Sequence, residues 1–362
     1  MGNGVVADPR VFEHARIIVE HSCKVKKNDF VLITSTPEAQ ELVIAIVSHL
    51  GRIGARFIVT DTSPAVMRAY TLQAGDDTLS TTPRFSIALA KEADVIINLG
   101  ALTTSNSQEM SDVPPHKLQV SSIAMRPVAE LLVNKRSNIT LHPTRALAQE
   151  ARMSYEAYCD FVYSAVIRDW PKMAAEMQVL VDKMAATKNV HILGKDTDIT
   201  FSIEGRKPLV DGGEKNLPGG EVYVSPIDSS VEGQVYFDLP INYLGQDVKG
   251  ARLKFRSGQV VESSAEQGED LLKTLMAADP GAGRVGELGI GMNRGINRFT
   301  NNILFDEKMG DTIHMAVGRA FPESGGTNQS AVHIDMIKTM KEEGTILFDG
   351  TPIYANGKFS WE

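Results

Sequence analysis

Phe30-Val31-Leu32-Ile33-Thr34 is a short apolar run typical of a strand that is buried on both faces of a sheet. Helical spacing of apolar residues precedes it over residues 12–23, and an amphipathic stretch over residues 38–50 follows it. Further strands are predicted over residues 56–60, 93–99 and 138–141. Strands that alternate with helices imply right-handed crossovers and a parallel sheet covered on both faces. The sequence therefore predicts an N-terminal α/β domain over residues 1–150.

The pattern changes after residue 150. Residues 151–187 have helical spacing that is interrupted at Trp170-Pro171, where proline suits the first turn of a new helix. From residue 188 to residue 362 short strands alternate with glycines and prolines, as in a largely antiparallel β domain. The predicted fold class is α/β plus mostly β. It comprises a parallel-sheet domain, a helical connector over 151–187, and a β-rich domain over 188–362.

The composition of the 362-residue chain restricts its expected partners. The formal net charge is −8 and the chain has no basic run, so neither nucleic acid nor a membrane surface is an expected partner. No apolar segment approaches the roughly 20 residues that span a bilayer, and we expect a cytoplasmic protein. The N-terminal domain has neither Gly-x-Gly-x-x-Gly nor a phosphate-loop sequence, so we expect it to bind no cofactor.

A candidate metal site begins with His333-Ile334-Asp335, which follows a turn rich in glycine, serine and asparagine. Alternate residues of a strand point to the same side. His333 and Asp335 are therefore expected to present an imidazole nitrogen and a carboxylate to one spot. His314 lies upstream in a second strand-like run of alternating residues. These residues form a possible set of ligands for a divalent metal ion.

Two acidic residues in glycine-rich segments add to this set. Glu221 follows Gly219-Gly220, and Glu287 follows Gly286. Glycine lets backbones approach closely and frees a carboxylate from steric cover. Imidazole and carboxylate ligands suit zinc, cobalt, manganese or iron(II), and the lack of cysteine ligands argues against a closed structural zinc site. A site of this kind keeps a position open for water or substrate. The β-rich domain over 188–362 is therefore predicted to be the catalytic domain and to carry the metal site.

Each of these residues also has a structural interpretation. A buried histidine that is hydrogen-bonded to an aspartate, as expected for His333 and Asp335, is often structural. In the same way, His314 is explained equally well as a core histidine, Glu287 as an exposed turn residue and Glu221 as the end of a strand. The pattern of residues alone leaves both interpretations open.

Several segments together resemble the aminopeptidase T family of metallopeptidases, and the resemblance covers nearly the whole chain. The segments are residues 25–34, 194–202, 216–226, 286–293, 305–308, 314–318 and 325–335. In that family two adjacent metal ions are held by two glutamates, two histidines, an aspartate and a tyrosine. The resemblance implies that the metal ligands here are Glu221, Glu287, His314, His333 and Asp335. Phe321 stands at the tyrosine position and cannot bind a metal ion, so the second metal position would be weakened or lost.

The same superfamily includes dihydroxypyridine dioxygenases, which resemble this chain in part. They use one iron(II) ion held by two histidines and one carboxylate. The resemblance matches their second histidine and their carboxylate to His333 and Asp335, whereas Glu287 stands where their first histidine is expected. Glutamate at this position favours the hydrolase, and Phe321 favours the dioxygenase.

The sequence thus predicts a metal-dependent hydrolase, an aminopeptidase or a related amidase, in which Zn2+ or Co2+ activates a water molecule. Glu221 and Glu287 are the predicted catalytic residues, and Glu221 would bind a second metal ion or act as a general base. Asn328 and Ser330 are expected to orient the histidines. Arg319 is a candidate for binding a substrate carboxylate.

Two other functions remain open at this point. One is a mononuclear, Fe2+-dependent ring-cleaving dioxygenase acting on 2,5-dihydroxypyridine-like substrates. The other is a non-catalytic α/β scaffold whose polar residues are occupied by internal hydrogen bonds. Under the hydrolase hypothesis the partner is a small peptide or another small molecule, and the resemblance implies a homo-oligomer.

Overall fold

The computed structural model describes residues 8–100, 102–132, 134–243 and 246–362. The chain forms two compact units. The first comprises the chain as far as Arg168 together with Gly213–Pro218, and the second comprises Asp169–Gly212 together with Gly219–Glu362. The residues of the predicted connector, 151–187, are therefore divided between the two units.

The first unit contains a parallel four-stranded sheet. Its strands are β1 (Phe30–Ser35), β2 (Arg56–Asp61), β3 (Val95–Asn98) and β4 (Arg136–Ile139), in the order β2-β1-β3-β4. Its helices are α1 (Arg10–Arg16), which continues as a π-helical segment (Ile17–Ser22), α2 (Gln40–Ile53), α3 (Pro64–Gln73), α4 (Asp76–Leu79), α5 (Arg84–Glu92), α6 (Pro115–Leu132), α7 (Arg145–Glu150) and α8 (Tyr155–Val166). All three strand pairs are parallel, which confirms the predicted α/β fold.

The apolar run in β1 behaves as its composition predicts. Val31, Leu32 and Ile33 are consecutive and all buried, so both faces of β1 are covered. Leu42, Ile46 and Leu50 form the buried stripe of α2. None of the helices in the described part of the chain combines the length and the apolar character that a bilayer crossing requires.

The second unit is built from antiparallel sheets. Its helices are α9 (Trp170–Ala185), α10 (Glu269–Met276) and α11 (Ile303–Asp306). Its strands are β5 (Asn189–Gly194), β6 (Thr197–Ser202), β7 (Leu209–Asp211), β8 (Glu221–Val224), β9 (Glu232–Phe237), β10 (Ile241–Tyr243), β11 (Gln246–Val248), β12 (Ala251–Arg256), β13 (Gln259–Ser264), β14 (Val285–Gly291), β15 (Thr312–Gly318), β16 (His333–Thr339), β17 (Thr345–Phe348), β18 (Thr351–Ala355) and β19 (Lys358–Phe359).

These strands form one eight-stranded sheet, one five-stranded sheet and a hairpin of β10 with β11. The eight-stranded sheet has the order β13-β12-β9-β6-β5-β17-β18-β19, and the five-stranded sheet has the order β16-β15-β14-β8-β7. Every described pair of neighbouring strands in the two sheets is antiparallel. The predicted, largely antiparallel β domain is therefore confirmed.

The five-stranded sheet is covered on both sides at its centre. All residues of β14 and β15 are buried. Helix α9 packs against β7 and β8, and it begins at Trp170 with Pro171 in its first turn, as predicted. Polar side chains are rare in wholly buried strands unless they are paired. Glu287 in β14 and His314 in β15 therefore require specific partners.

Candidate metal centre

Four strands of the five-stranded sheet bring the five predicted site residues together. Glu221 begins β8, Glu287 lies in β14, His314 lies in β15, and His333 and Asp335 lie at the start of β16. The register places Glu287 and Asp335 on either side of Ala316, and it pairs Glu221 with Gly291. Across the strands, the small residue Ala316 thus lies between Glu287 and Asp335, and the small residue Gly291 lies next to Glu221. The role of these five residues as metal ligands stays a prediction.

Gly289 makes room for one imidazole. It lies directly opposite His314 in the register of β14 and β15. A Cβ atom at residue 289 would lie 1.9 Å from His314 Cε1, so every other amino acid would displace the ring. Gly291 meets a similar restriction, because a Cβ atom there would lie 2.0 Å from the carbonyl oxygen of Met309. The glycines of β14 are therefore needed for close approach, as the sequence indicated.

The charged atoms form a continuous chain. His314 Nε2 lies 3.4 Å from Glu221 Oε2 and 3.5 Å from Glu287 Oε1. His333 Nε2 lies 3.2 Å from Glu287 Oε2 and 3.5 Å from Asp335 Oδ1. Glu287 therefore turns one carboxylate oxygen to each histidine and stands in the middle of the cluster.

Two sets of three residues each have their ligand atoms within 4.8 Å of one another. One set contains Glu221, Glu287 and His314, and the other contains Glu287, His333 and Asp335. Glu221 Oε2 and Asp335 Oδ1 are buried and have no hydrogen-bond partner among the described residues. Buried oxygens of this kind cost free energy unless a cation or water satisfies them. The donor atoms and these two oxygens fit a divalent metal ion.

Backbone carbonyl groups fix the two histidine rings. His314 Nδ1 lies 2.9 Å from the carbonyl oxygen of Glu307, and His333 Nδ1 lies 2.7 Å from that of Arg319. Each Nδ1 therefore donates a proton to a carbonyl group, and each Nε2 faces the carboxylates, as in metal-binding histidines. The side chain of Arg319 is exposed, and its binding of a substrate carboxylate stays a prediction.

The prediction that Asn328 and Ser330 orient the histidines is wrong. Asn328 Nδ2 donates to the carbonyl oxygens of Gly281 and Gly318 at 2.8 and 2.7 Å. Ser330 Oγ donates to Asp279 Oδ2 at 2.9 Å. These hydrogen bonds tie the turn before β16 to Asp279, Gly281 and Gly318. They therefore hold in place the turn that leads to His333 and Asp335, and they do not orient the histidine rings directly.

The carboxylates and imidazoles shift one another's pKa values. Burial acts to raise the pKa of Glu287 and of Asp335, but the neighbouring histidines outweigh it and lower both. Burial acts to lower the pKa of the histidines, but the carboxylates raise the pKa of His314 to about 10 and that of His333 to about 11. In the metal-free centre both rings are protonated at neutral pH, so a metal ion has to displace their protons.

Three further charged residues lie at the centre and were not predicted as ligands: Asp211, Glu307 and Lys308. The Lys308 ammonium contacts Glu307, lies 3.3 Å from Glu221 Oε1 and lies 3.7 Å from Asp211 Oδ2. Burial raises the pKa of Glu221 and of Glu307, and Lys308 acts against both shifts. The sequence signal for Glu307 was its place in residues 305–308, one of the segments that carry the family resemblance. Asp211 gave no such signal, because it reaches the centre through its pairing with Glu221 across β7 and β8.

Phe321 contributes an aromatic surface next to one histidine. Its ring centroid lies 5.2 Å from that of His333 and 5.3 Å from that of Tyr223, both in edge-to-face arrangements. Tyr223 lies two residues after Glu221 and hence on the same side of β8. Burial raises the pKa of Tyr223, and the charges of Glu221 and Glu287 add to the shift. The tyrosine that the resemblance expects at residue 321 is thus replaced by a ring without a ligand atom.

The chain matches a family model described as thermophilic metalloprotease (M29) over residues 7–359. It is similar to Aminopeptidase 2 of Geobacillus stearothermophilus, with 25% identity over 97% of each chain. It is also similar to Aminopeptidase T of Thermus aquaticus, with 28% identity over 72% of this chain and 75% of that one.

Two solved structures are similar to the whole fold. Wild-type AmpT from Thermus thermophilus has a TM-score of 0.83 and 22% identity, over 97% of this chain and 99% of that one. The 2,5-dihydroxypyridine dioxygenase of Pseudomonas putida KT2440 has a TM-score of 0.61 and 12% identity, over 97% of both chains. At these identities the two likenesses show a shared fold alone.

Proposed function

The chain belongs to the thermophilic metalloprotease (M29) family, as the sequence motifs predicted, and on that premise we propose that it is a metal-dependent aminopeptidase. Relatives named as aminopeptidases, which match 97% and 72% of this chain, support the proposal. We propose small peptides as substrates and Zn2+ or Co2+ as the metal, because nitrogen and oxygen donors suit both ions. A cytoplasmic location and self-association stay predictions.

One observation carries this proposal: Glu287 offers one oxygen to each of two ligand groups. In the proposed centre Glu221, Glu287 and His314 hold one cation, and Glu287, His333 and Asp335 hold a second. A bound cation supplies a Lewis acid for the scissile carbonyl and lowers the pKa of water from about 15.7 to roughly 7.

The protein's own groups then have to orient the site and move a proton. The carbonyl groups of Glu307 and Arg319 keep both Nε2 atoms directed at the carboxylates. Transfer of a proton from the attacking water to the leaving amine needs a carboxylate whose pKa lies near neutrality. Burial raises the pKa of Glu221 and of Glu307. We assign this transfer to Glu221 where only the group of Glu287, His333 and Asp335 holds a cation, and to Glu307 where Glu221 is itself a ligand.

The test is hydrolysis of leucyl-nitroanilide by protein that has been stripped with a chelator and then reloaded with one metal at a time. We expect stripping to abolish activity, and Zn2+ or Co2+ to restore it. Glu287→Gln removes the shared charge while keeping the shape of the side chain, so we expect it to lose metal and activity together. Glu262→Gln changes an exposed glutamate of β13 and serves as the matched control.

Two results would contradict the aminopeptidase. Oxygen consumption with 2,5-dihydroxypyridine that depends on Fe2+, without hydrolysis of leucyl-nitroanilide, would assign the dioxygenase. If the wild-type protein retains no metal and shows neither activity, the non-catalytic scaffold is the function that remains. Full activity in Glu287→Gln would show that the ligand assignment is wrong even where the enzyme class is right.

A further inference from the structure

Lys308 is one of the largest fully buried side chains in the described part of the protein. Its ammonium group contacts the carboxylate of Glu307 and lies 3.3 Å from Glu221 Oε1 and 3.7 Å from Asp211 Oδ2. Three carboxylates therefore surround one buried ammonium group beside the candidate metal centre.

Stability alone is a poor explanation for this charge. Desolvation of a buried ion pair offsets much of its Coulomb attraction, and apolar residues of similar volume often serve stability equally well. The backbone also holds Lys308 in place on its own. Its N–H donates to the carbonyl of Phe305 at 3.0 Å, and its carbonyl accepts from the N–H of Asn293 at 3.1 Å. The backbone thus fixes the segment that carries the ammonium group, and the ammonium group faces the carboxylates of Asp211, Glu221 and Glu307.

The two oxygens of Glu221 have different surroundings. Oε1 faces the Lys308 ammonium, whereas Oε2 faces His314 Nε2 at 3.4 Å and has no hydrogen-bond partner among the described residues. A carboxylate that turns freely is able to bind a cation through either oxygen or through both. The contact with Lys308 removes this freedom, because Oε1 is held by a charge-assisted interaction.

We propose that Lys308 is a positioning residue: it holds Oε1 of Glu221 together with the carboxylate of Glu307, so that Glu221 presents only Oε2 to the centre. The proposal rests on the proposed function in one respect, namely that a divalent cation binds beside Glu221. Because like charges repel, Lys308 weakens the binding of that cation. Its contribution is therefore geometric, and the coordination position that Oε1 does not fill stays open for substrate.

Visible absorption of bound Co2+ reports the number and arrangement of ligands, and it tests this proposal without relying on activity. We would compare the wild type with Lys308→Met and Lys308→Gln. Lys338→Met is the matched control, because Lys338 is also buried but donates to the carbonyl oxygen of Lys195 at 3.1 Å. The control removes a buried ammonium in the same unit without touching the carboxylates.

We expect both variants of Lys308 to bind Co2+ at least as tightly as the wild type, because the repulsion is removed. Their absorption spectra should differ from that of the wild type, because both oxygens of Glu221 become available. Loss of a residue that orients a ligand typically lowers activity about 10- to 100-fold, and we expect kcat to fall by that factor. The acidic limb of the pH profile of kcat should move as well. Lys338→Met should keep the wild-type spectrum and pH profile.

If Lys308→Met does not fold, Lys308→Gln serves as the test variant. Glutamine keeps a polar group there but is too short to contact both Glu221 and Glu307. A wild-type spectrum, Co2+ affinity and pH profile in Lys308→Gln would overturn the proposal. A changed spectrum in a protein that does not hydrolyse leucyl-nitroanilide supports the role of Lys308 and contradicts the aminopeptidase alone. The two ideas therefore fail in different measurements.

Discussion

Two pairs of histidines, one in each unit, have pKa values shifted in opposite directions. In the first unit burial lowers the pKa of His14 to about 3 and that of His142 to about 4. In the second unit carboxylates overcome burial and raise the pKa of His314 to about 10 and that of His333 to about 11. Desolvation acts to lower the pKa of all four rings, so it does not distinguish a structural histidine from a candidate ligand.

The neighbours make the difference. His14 Nε2 lies 3.0 Å from the hydroxyl oxygen of Thr140, a neutral partner. His314 and His333 each have Nε2 between two carboxylates, and each has Nδ1 held by a backbone carbonyl. A neutral ring against a hydroxyl group is a packing element, whereas a ring between carboxylates is suited to metal binding once its proton is displaced.

Removing one ring from each pair should separate the two roles most clearly. We expect His333→Ala to lower kcat/KM for leucyl-nitroanilide by at least about a hundredfold, because loss of a ligand should exceed loss of a group that merely orients one. His14→Ala should leave kcat/KM unchanged and lower the free energy of unfolding by about 1–3 kcal/mol, since it removes the buried partner of Thr140.

Steady-state kinetics and urea unfolding of the two variants provide the measurement. Equal losses of activity in folded His14→Ala and His333→Ala would break the comparison, because the difference between the pairs would then have no functional meaning.

A methyl group placed against His314 should have the next largest effect. In Gly289→Ala the new Cβ would lie 1.9 Å from His314 Cε1, so the ring must move. We expect metal affinity and kcat to fall about 10- to 100-fold, as for other changes that misorient a ligand. Gly51→Ala in α2 is the control, because its Cβ meets no atom within 4 Å.

The helical control should gain roughly 0.5–1 kcal/mol of stability, because alanine is the better helix former. Metal titration and thermal melting of both variants give the answer. Wild-type metal affinity in Gly289→Ala would mean that the position of the His314 ring is unimportant.

Lowering the pH should destabilise the protein through the first pair of histidines, His14 and His142. Unfolded histidine titrates near 6.5, well above the folded pKa values of His14 and His142. The unfolded state therefore binds more protons between these values, and the stability from this pair, complete above pH 6.5, is lost as pH falls towards 4. Each histidine contributes a slope of about 1.4 kcal/mol per pH unit.

Urea unfolding of metal-free protein between pH 5 and pH 7 measures this slope, and His14→Gln should reduce it by the share of one histidine. The second pair has the opposite sign: its contribution is complete below pH 6.5 and is lost as pH rises through about 10. A slope that His14→Gln does not change would show that the first pair is not neutral in the folded protein.

Of the predicted effects, proton release on metal binding should involve the smallest change in free energy. It nevertheless tests the second pair of histidines, His314 and His333, directly. His314 and His333 are both protonated at pH 7 in the metal-free protein, so filling the two ligand groups should release at least about two protons. Calorimetric titration with Zn2+ in buffers of different ionisation enthalpy counts them. Release of less than about one proton would mean that the rings are already neutral and that the two pairs do not differ as described.

Much of the architecture was accessible from the sequence, because it depends on local periodicity. The run Phe30–Thr34 predicted the buried strand β1, and glycine-punctuated strands predicted the antiparallel sheets. Boundaries were less accurate: the amphipathic stretch over residues 38–50 lies in a helix that begins at Gln40, after a 3-10 turn over Pro37–Ala39, and ends at Ile53. Helix starts depend on such local backbone geometry, which hydrophobic spacing does not encode.

The sequence by itself determined the types of residue at the centre and the family, because glycine-flanked acids and the His333-x-Asp335 pair are local patterns. Only the tertiary structure decided which charges meet. Asp211 and Lys308 reach Glu221 through strand pairing and a buried turn. Asn328 binds backbone carbonyls, and Ser330 binds the Asp279 carboxylate, instead of the histidines. Electrostatic energy and desolvation depend on distances between atoms that are far apart in the chain, and these distances exist only in the folded protein.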